Sequence, residues 1–246
     1  MLAIIGGSGL TQLSNLDISR REIVRTPFGE PSGAITFGRI GCQDVAFLAR
    51  HGHGHTIPPH LVNYRANIWA LARGAGAEGI VSVASVGGIR ADMGPGVVAI
   101  PNQIIDYTWG REQTLYDGSI PLEHIDFSNP YSEPLRKQLL TAAKTHKITV
   151  LERGVYGATQ GPRLESAAEI QRFQREGCDM VGMTGMPEAS LAREMGMEYA
   201  SIALSVNWAA GLTDHPITMT DIQLALEKGM GDVLKIIEAF LAGRDV

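Results

Sequence analysis

Gly79-Ile80-Val81-Ser82-Val83-Ala84-Ser85-Val86 runs without a charged residue into Gly87-Gly88. An apolar, β-branched run of this length, bounded by glycines, reads as a buried strand entering a turn. Similar runs recur along the chain. Ile4-Ile5 ends a first strand. Residues 34–50 read as a hairpin, and Val97-Val98-Ala99-Ile100 lies between Pro95 and Pro101. Residues 149–152 and 179–183 give two more strands, and Tyr199-Ala200-Ser201-Ile202-Ala203-Leu204-Ser205-Val206 a long one that stops at Asn207. Helical spacing fills the intervals over 63–73, 134–145 and 166–176, in a helix begun by Pro187, and in an amphipathic helix over 220–241. Strands alternating with helices predict an α/β fold with a mostly parallel or mixed sheet, in one domain spanning 1–246.

The 246 residues fit one large domain, and 44% hydrophobic with 19% charged residues is ordinary for a globular chain. A formal net charge of −5 argues against a broad nucleic-acid footprint but leaves room for a small anion held by local donors. Met1 reads straight into a glycine loop with no basic leader, and no run is long enough to cross a bilayer. Cys42 and Cys178 match neither a disulfide framework nor a zinc pattern, so reduced, buried thiols and a cytoplasmic location are expected. No membrane partner, nucleic acid, metal or organic cofactor is called for.

Several short stretches carry chemistry. Gly6-Gly7-Ser8-Gly9 follows a strand, and its amides and hydroxyl could converge on an anion or form a plain tight turn. It lacks the third glycine of a dinucleotide fingerprint, because residue 12 is Gln, and no Gly-Lys-Ser/Thr follows. Arg50-His51-Gly52-His53-Gly54-His55 offers a guanidinium fork and a histidine donor for phosphate, spaced imidazoles for a metal, or a structural loop. Metal is the weakest of these, since two glycines break the extended geometry and no acidic or cysteine partner is near. Thr184, in Met183-Thr184-Gly185-Met186-Pro187-Glu188, reads either as an anion donor or as a helix N-cap. Asn207 is a polar amide at the end of the most apolar strand, so it needs a ligand or a loop backbone as partner.

Together these stretches resemble the purine nucleoside phosphorylase superfamily, and within it the trimeric branch that contains methylthioadenosine phosphorylase. The resemblance rests on Ile4-Ile5-Gly6-Gly7-Ser8-Gly9-Leu10, Ala49-Arg50-His51-Gly52, His55-Thr56-Ile57-Pro58, Val62-Asn63-Tyr64-Arg65-Ala66-Asn67, Tyr116-Asp117-Gly118, Gly161-Pro162-Arg163 and Met183 to Glu188, and it covers nearly the whole chain. It implies an α/β domain with a distorted mixed sheet flanked by helices, a homotrimer, and inorganic phosphate as cosubstrate. Ser8, Arg50, His51 and Thr184 would hold phosphate, with the loop at Ala84 and Ser85 beside it. Ala84 replaces a hydroxyl residue of relatives. Met183 would pack under the ribose, Leu164 against the base, and His124 would reach a neighbouring subunit's 5′ pocket. Asn207, Trp208, Ala209 and Glu165 belong to the base and specificity set, and Thr220, Gln223 and Leu224 to the 5′ segment.

The informative departure is Asn207-Trp208-Ala209, where the methylthioadenosine enzymes carry Asp-x-Asp. A carboxylate accepts from a 6-amino group, whereas an amide can donate to O6 or N7 of a 6-oxopurine. With Arg50 and His51 acting on phosphate and Asn207 on the leaving base, the expected reaction is phosphorolysis of methylthioinosine to hypoxanthine and 5-methylthioribose 1-phosphate. Phosphorolysis of methylthioadenosine, dual specificity, and inosine or guanosine cleavage are the alternatives. A non-catalytic nucleotide-binding module is the remote one.

Overall fold

β5 (Gly79–Gly88) is the axis of the sheet and runs farther than its sequence suggests. In the computed structural model, which describes residues 1–119 and 121–244, Gly87 and Gly88 extend the strand instead of turning it. Packing is the reason. A Cβ on Gly88 would collide with the Met93 carbonyl, so glycine lets two backbones pass at close range.

The other strands are β1 (Leu2–Gly6), β2 (Asp17–Glu22), β3 (Ile35–Ile40), β4 (Gln43–Ala49), β6 (Val98–Ala99), β7 (Gln103–Asp106), β8 (Val150–Leu151), β9 (Val155–Ala158), β10 (Met180–Gly182) and β11 (Glu198–Trp208). The helices are α1 (Tyr64–Trp69), α2 (Glu133–Thr145), α3 (Ala167–Arg175), α4 (Glu188–Glu194) and α5 (Met219–Ala242). β1 lies parallel to β4 and β5, β11 parallel to β5, and β10 antiparallel to β5, which makes the sheet mixed as expected.

Both faces of its centre are buried. Along β1, Leu2 and Ile4 enter one apolar cluster while Ala3 and Ile5 enter the other. Along β4, Val45 and Phe47 alternate in the same way with Ala46 and Leu48. This is why these strands read as continuous apolar runs. α2 and α5 cover one face, and α1 and α4 the other. α5 buries Val233, Ile236, Ile237, Phe240 and Leu241 at helical spacing, worth roughly 1.5–3 kcal/mol for each fully buried large side chain.

The split in this sheet makes the site. β5 pairs with β1 from Gly79 to Ser82, then with β10 only at Gly87 and Gly88. Over residues 83–86 no strand among the described residues lies beside that edge. Ligands in open α/β sheets gather where neighbouring strands part company.

Three strands escaped the sequence reading. β2 is exposed at every position and has no apolar alternation, so only its pairing with β3 defines it. β7 and β9 are short, β7 pairing with β9 and β9 also with β10. Cys178 is buried as expected, whereas Cys42 is exposed because it sits in the tight turn between β3 and β4. Among the described residues no helix is long and apolar enough to cross a membrane.

Candidate active site

The gap beside β5 opens into a cavity of about 280 Å³. Ser8 enters it from the loop after β1, and Arg50 and His51 from the end of β4. Ala84 and Ser85 come from β5 itself, Met183 and Thr184 from the end of β10, and Asn207 from β11. Leu164 and Glu165, just ahead of α3, form another wall.

Arg50 is fully buried, and so is its partner Glu188 at the start of α4. Arg50 Nε donates to Glu188 Oε1 at 2.8 Å and Nη2 to Oε2 at 2.9 Å. Nη2 also donates to Ser82 Oγ at 2.6 Å, and Nη1 to the Val83 carbonyl at 2.9 Å, where β5 leaves β1. Ser82 and Tyr199 both donate to Glu188 Oε2. Burial disfavours the Arg50 charge, but the Glu188 carboxylate outweighs it and holds the pKa above the ordinary arginine value. Only one guanidinium hydrogen, on Nη1, is left for a ligand in the cavity. Arg50 is a braced donor, not a free fork.

His51 differs from the expected donor. Its Nδ1 lies 2.8 Å from the Ile57 carbonyl, which can only accept, so Nδ1 carries the hydrogen. Burial and then the Arg50 charge push its pKa down to about 4. At neutral pH the ring is therefore uncharged, and Nε2 is an acceptor. The three spaced histidines do not form one set. His51 and His55 meet with ring centroids 4.5 Å apart and planes tilted by 32°, while His53 lines a different depression. Among the described residues no group of three or more His, Cys, Asp or Glu could hold a metal ion.

Ser85 Oγ donates to the Ser8 carbonyl at 3.3 Å, tying β5 to the glycine loop. Thr184 is no N-cap. α4 begins four residues later, behind Pro187, and Thr184 N donates to the Tyr156 hydroxyl at 3.4 Å. Its own hydroxyl lies at the same cavity wall, with the Tyr156 hydroxyl beside it.

Asn207 does not end β11, which continues to Trp208. A bulge shifts the register between Ser205 and Asn207, so Val206 and Asn207 both border the cavity despite being adjacent. Bulges re-aim side chains in this way. Asn207 Nδ2 donates to the Trp208 carbonyl at 2.7 Å.

The sequence comparisons fit this geometry. The profile of the phosphorylase superfamily matches residues 1–242. The chain belongs to the phosphorylase superfamily. A probable S-methyl-5′-thioinosine phosphorylase of Pseudomonas syringae pv. tomato is 55% identical to this phosphorylase over 232 residues, covering 94% of each chain. The 6-oxopurine nucleoside phosphorylase of Pyrococcus furiosus is 46% identical over 97% of this chain and 91% of its own. Among solved structures, a methylthioadenosine phosphorylase from Schistosoma mansoni in complex with adenine superposes with a TM-score of 0.94 at 33% identity, covering 99% of this chain and 91% of that one.

Some expected site residues of this phosphorylase lie outside the cavity. Trp208 borders not the cavity but an adjoining depression that shares Val206 and Asn207 with it, and Ala209 is buried beside Ile170 and Phe173 of α3. Thr220, Gln223 and Leu224 are exposed, and Leu224 borders that same adjoining depression. On α5 it is Met219 and Ile222 that face the cavity, a phase one residue different from the expected one. His124 is exposed and borders no part of its own chain's cavity. The sequence reading gave no site role to Met219, Ile222 or Glu188, and took His55 only as one of the spaced imidazoles of the weak metal alternative. Helical phase could have flagged the α5 pair. Nothing local signals that Glu188 pairs with Arg50 across 138 positions.

Proposed function

We propose that this phosphorylase cleaves S-methyl-5′-thioinosine with inorganic phosphate, giving hypoxanthine and 5-methylthioribose 1-phosphate. The observation that carries the proposal is the pair of polar side chains at the base end of the cavity, Glu165 and Asn207. A 6-oxopurine presents an N1–H donor beside an O6 acceptor. The Glu165 carboxylate accepts from N1–H, and Thr159 Oγ1, which donates to Oε1 at 2.6 Å, holds it in place. The Asn207 amide faces the O6 and N7 side. A 6-aminopurine offers an acceptor at N1, which would oppose the carboxylate, and each such mismatch costs about 1–3 kcal/mol.

At the far end Met219 and Ile222 give an apolar rim suited to a methylthio group. The relatives named for methylthioinosine and for 6-oxopurine nucleosides support the base assignment. The Schistosoma enzyme, crystallised with adenine, keeps the 6-amino alternative in view.

In the proposed reaction phosphate sits between Ser8, the free Arg50 N–H, Thr184 and the Ser85 amide. Val83 turns its carbonyl toward the gap, and Ser85, two residues on, turns its N–H the same way. A phosphate oxygen forms a bond to C1′ as the C1′–N9 bond breaks. The bond's electron pair leaves with the purine, which gains the proton that HPO₄²⁻ gives up. The ribose passes through an oxocarbenium-like state stabilised by the adjacent anion. His51, an acceptor, orients a hydroxyl of phosphate or ribose. No covalent enzyme intermediate or organic cofactor enters this scheme. The proposed assembly is a homotrimer in which exposed His124 reaches the neighbour's 5′ end, where Met219 is 76% exposed in the single chain.

The test is phosphate-dependent release of free base from methylthioinosine, methylthioadenosine and inosine side by side. The highest kcat/KM is expected for methylthioinosine. A preference for methylthioadenosine would overturn the base assignment, and a preference for inosine the 5′ assignment.

A further inference from the structure

His55 lies 2.8 Å, Nε2 to Oγ, from Ser8 in the glycine loop. Its position is built, not incidental. His55 takes up left-handed backbone with φ 57, directly after Gly54 with φ 81, a conformation that non-glycine residues rarely adopt without cause. That turn brings the ring beside that of His51, centroids 4.5 Å apart and tilted, and the His51 ring is itself pinned by the Ile57 carbonyl. His55 also borders the same cavity as Ser8 and Arg50.

A serine hydroxyl has one hydrogen. If it points at His55, the Ser8 lone pairs face the anion and repel it. If His55 Nε2–H donates to Ser8 Oγ, the hydroxyl hydrogen is free for phosphate. An anion beside Ser8 favours the second arrangement, because it can only be bound by donors. We infer that His55 is a positioning residue for the cosubstrate: it donates to Ser8 Oγ and so turns the Ser8 hydroxyl hydrogen toward phosphate. The inference rests on the phosphate site proposed above. Its chemistry is that of a tetrahedral oxyanion with lone pairs only on the side facing Ser8.

A double-mutant cycle tests it in the full-length enzyme, with KM for phosphate and for nucleoside measured separately. His55→Leu is expected to raise KM for phosphate about tenfold, the scale of one hydrogen bond to a charged group, and KM for nucleoside less than twofold. Ser8→Ala should do the same, and the double variant should be no worse than either single one. His55→Gln, which keeps an N–H at similar reach, should recover most of the loss. Multiplying effects of the two substitutions, or a His55→Leu defect that falls on the nucleoside, would overturn the inference. Circular dichroism and thermal melts of His55→Leu exclude misfolding as the source of a defect, and His55→Gln carries the test should that variant not fold. If wild-type base release shows no phosphate dependence, the site proposal itself falls, a result distinct from multiplying effects.

Discussion

Arg50 and Glu188 meet side by side, Nε to Oε1 at 2.8 Å and Nη2 to Oε2 at 2.9 Å, and neither has any solvent exposure. The pair joins the end of β4 to the start of α4 beneath the cavity. It also cancels the Arg50 charge, so an anion there meets oriented hydrogens and no net cation. Removing one partner of a buried pair strands the other, at about 3–5 kcal/mol. Glu188→Ala should lose stability on that scale in urea titrations. Glu188→Gln keeps one acceptor oxygen and should lose less, while KM for phosphate rises because Arg50 is no longer held in one orientation. Equal stability of Glu188→Ala and wild type would show that the pair is not what braces Arg50.

Asn207→Asp bears on substrate choice. A carboxylate in place of the amide would oppose O6 of a 6-oxopurine and could accept from a 6-amino group. At about 1–3 kcal/mol for one opposed polar contact, the kcat/KM ratio of methylthioinosine to methylthioadenosine should fall roughly 5- to 150-fold. An unchanged ratio would mean that residue 207 does not read the six-position.

How legible this was from sequence depends on the element. The apolar runs of β1, β5 and β11 announce themselves because both faces of each are buried. Ser8, Arg50 and Thr184, expected at strand ends, line the cavity just after β1, β4 and β10, while Asn207 lines it from inside β11. β2 could not be found, since its exposed side chains carry no pattern. The bulge before Asn207 was invisible for another reason: it follows from register against β5, a property of two strands. The α5 residues were missed by one step of helical phase, about 100° of rotation, which is enough to exchange Met219 and Ile222 for Thr220 and Gln223. Glu188 was quoted within a motif, yet its role lies in a contact that spacing does not encode.

Ile222→Ser tests the apolar 5′ end. Each buried methylene is worth about 0.8 kcal/mol, so losing a methylthio contact to a polar side chain should cost methylthioinosine roughly 3- to 15-fold in kcat/KM. Inosine, with a 5′ hydroxyl, should lose less or gain. Parallel losses on both nucleosides would place Ile222 away from the 5′ group.

His51 predicts an acid-sensitive stability. Its pKa is about 4 in the fold, held down first by burial and then by Arg50, against an unfolded value near 6.5. Between those values the unfolded chain binds a proton that the folded chain refuses. Stability should therefore fall as pH drops from about 6.5 to about 4, by at most roughly 3 kcal/mol from this group, and the contribution should be complete above pH 6.5. Urea titrations at pH 7.5, 6 and 5 on wild type and His51→Phe isolate it. The variant should show a shallower slope across that window, and identical slopes would count against a neutral buried imidazole.

Gly7 decides how closely the first loop can approach the guanidinium. A Cβ there would lie 2.6 Å from the Val83 carbonyl oxygen and 2.8 Å from Arg50 Nη1. Both atoms are fixed by their mutual hydrogen bond, and neither is the loose end of a flexible chain. Gly7→Ala must push the loop outward, carrying Ser8 with it, or break the contact that aims Nη1. Overpacking of this kind costs about 1–3 kcal/mol, and the same displacement should raise KM for phosphate. Gly33→Ala is the matched control, because no heavy atom lies within 4 Å of the Cβ it would add. Thermal melts and phosphate KM of the two variants decide the matter: a Gly7→Ala enzyme as stable and as phosphate-competent as Gly33→Ala would mean that the loop has slack, and that the close approach of Gly7 to Arg50 is not what shapes the anion site.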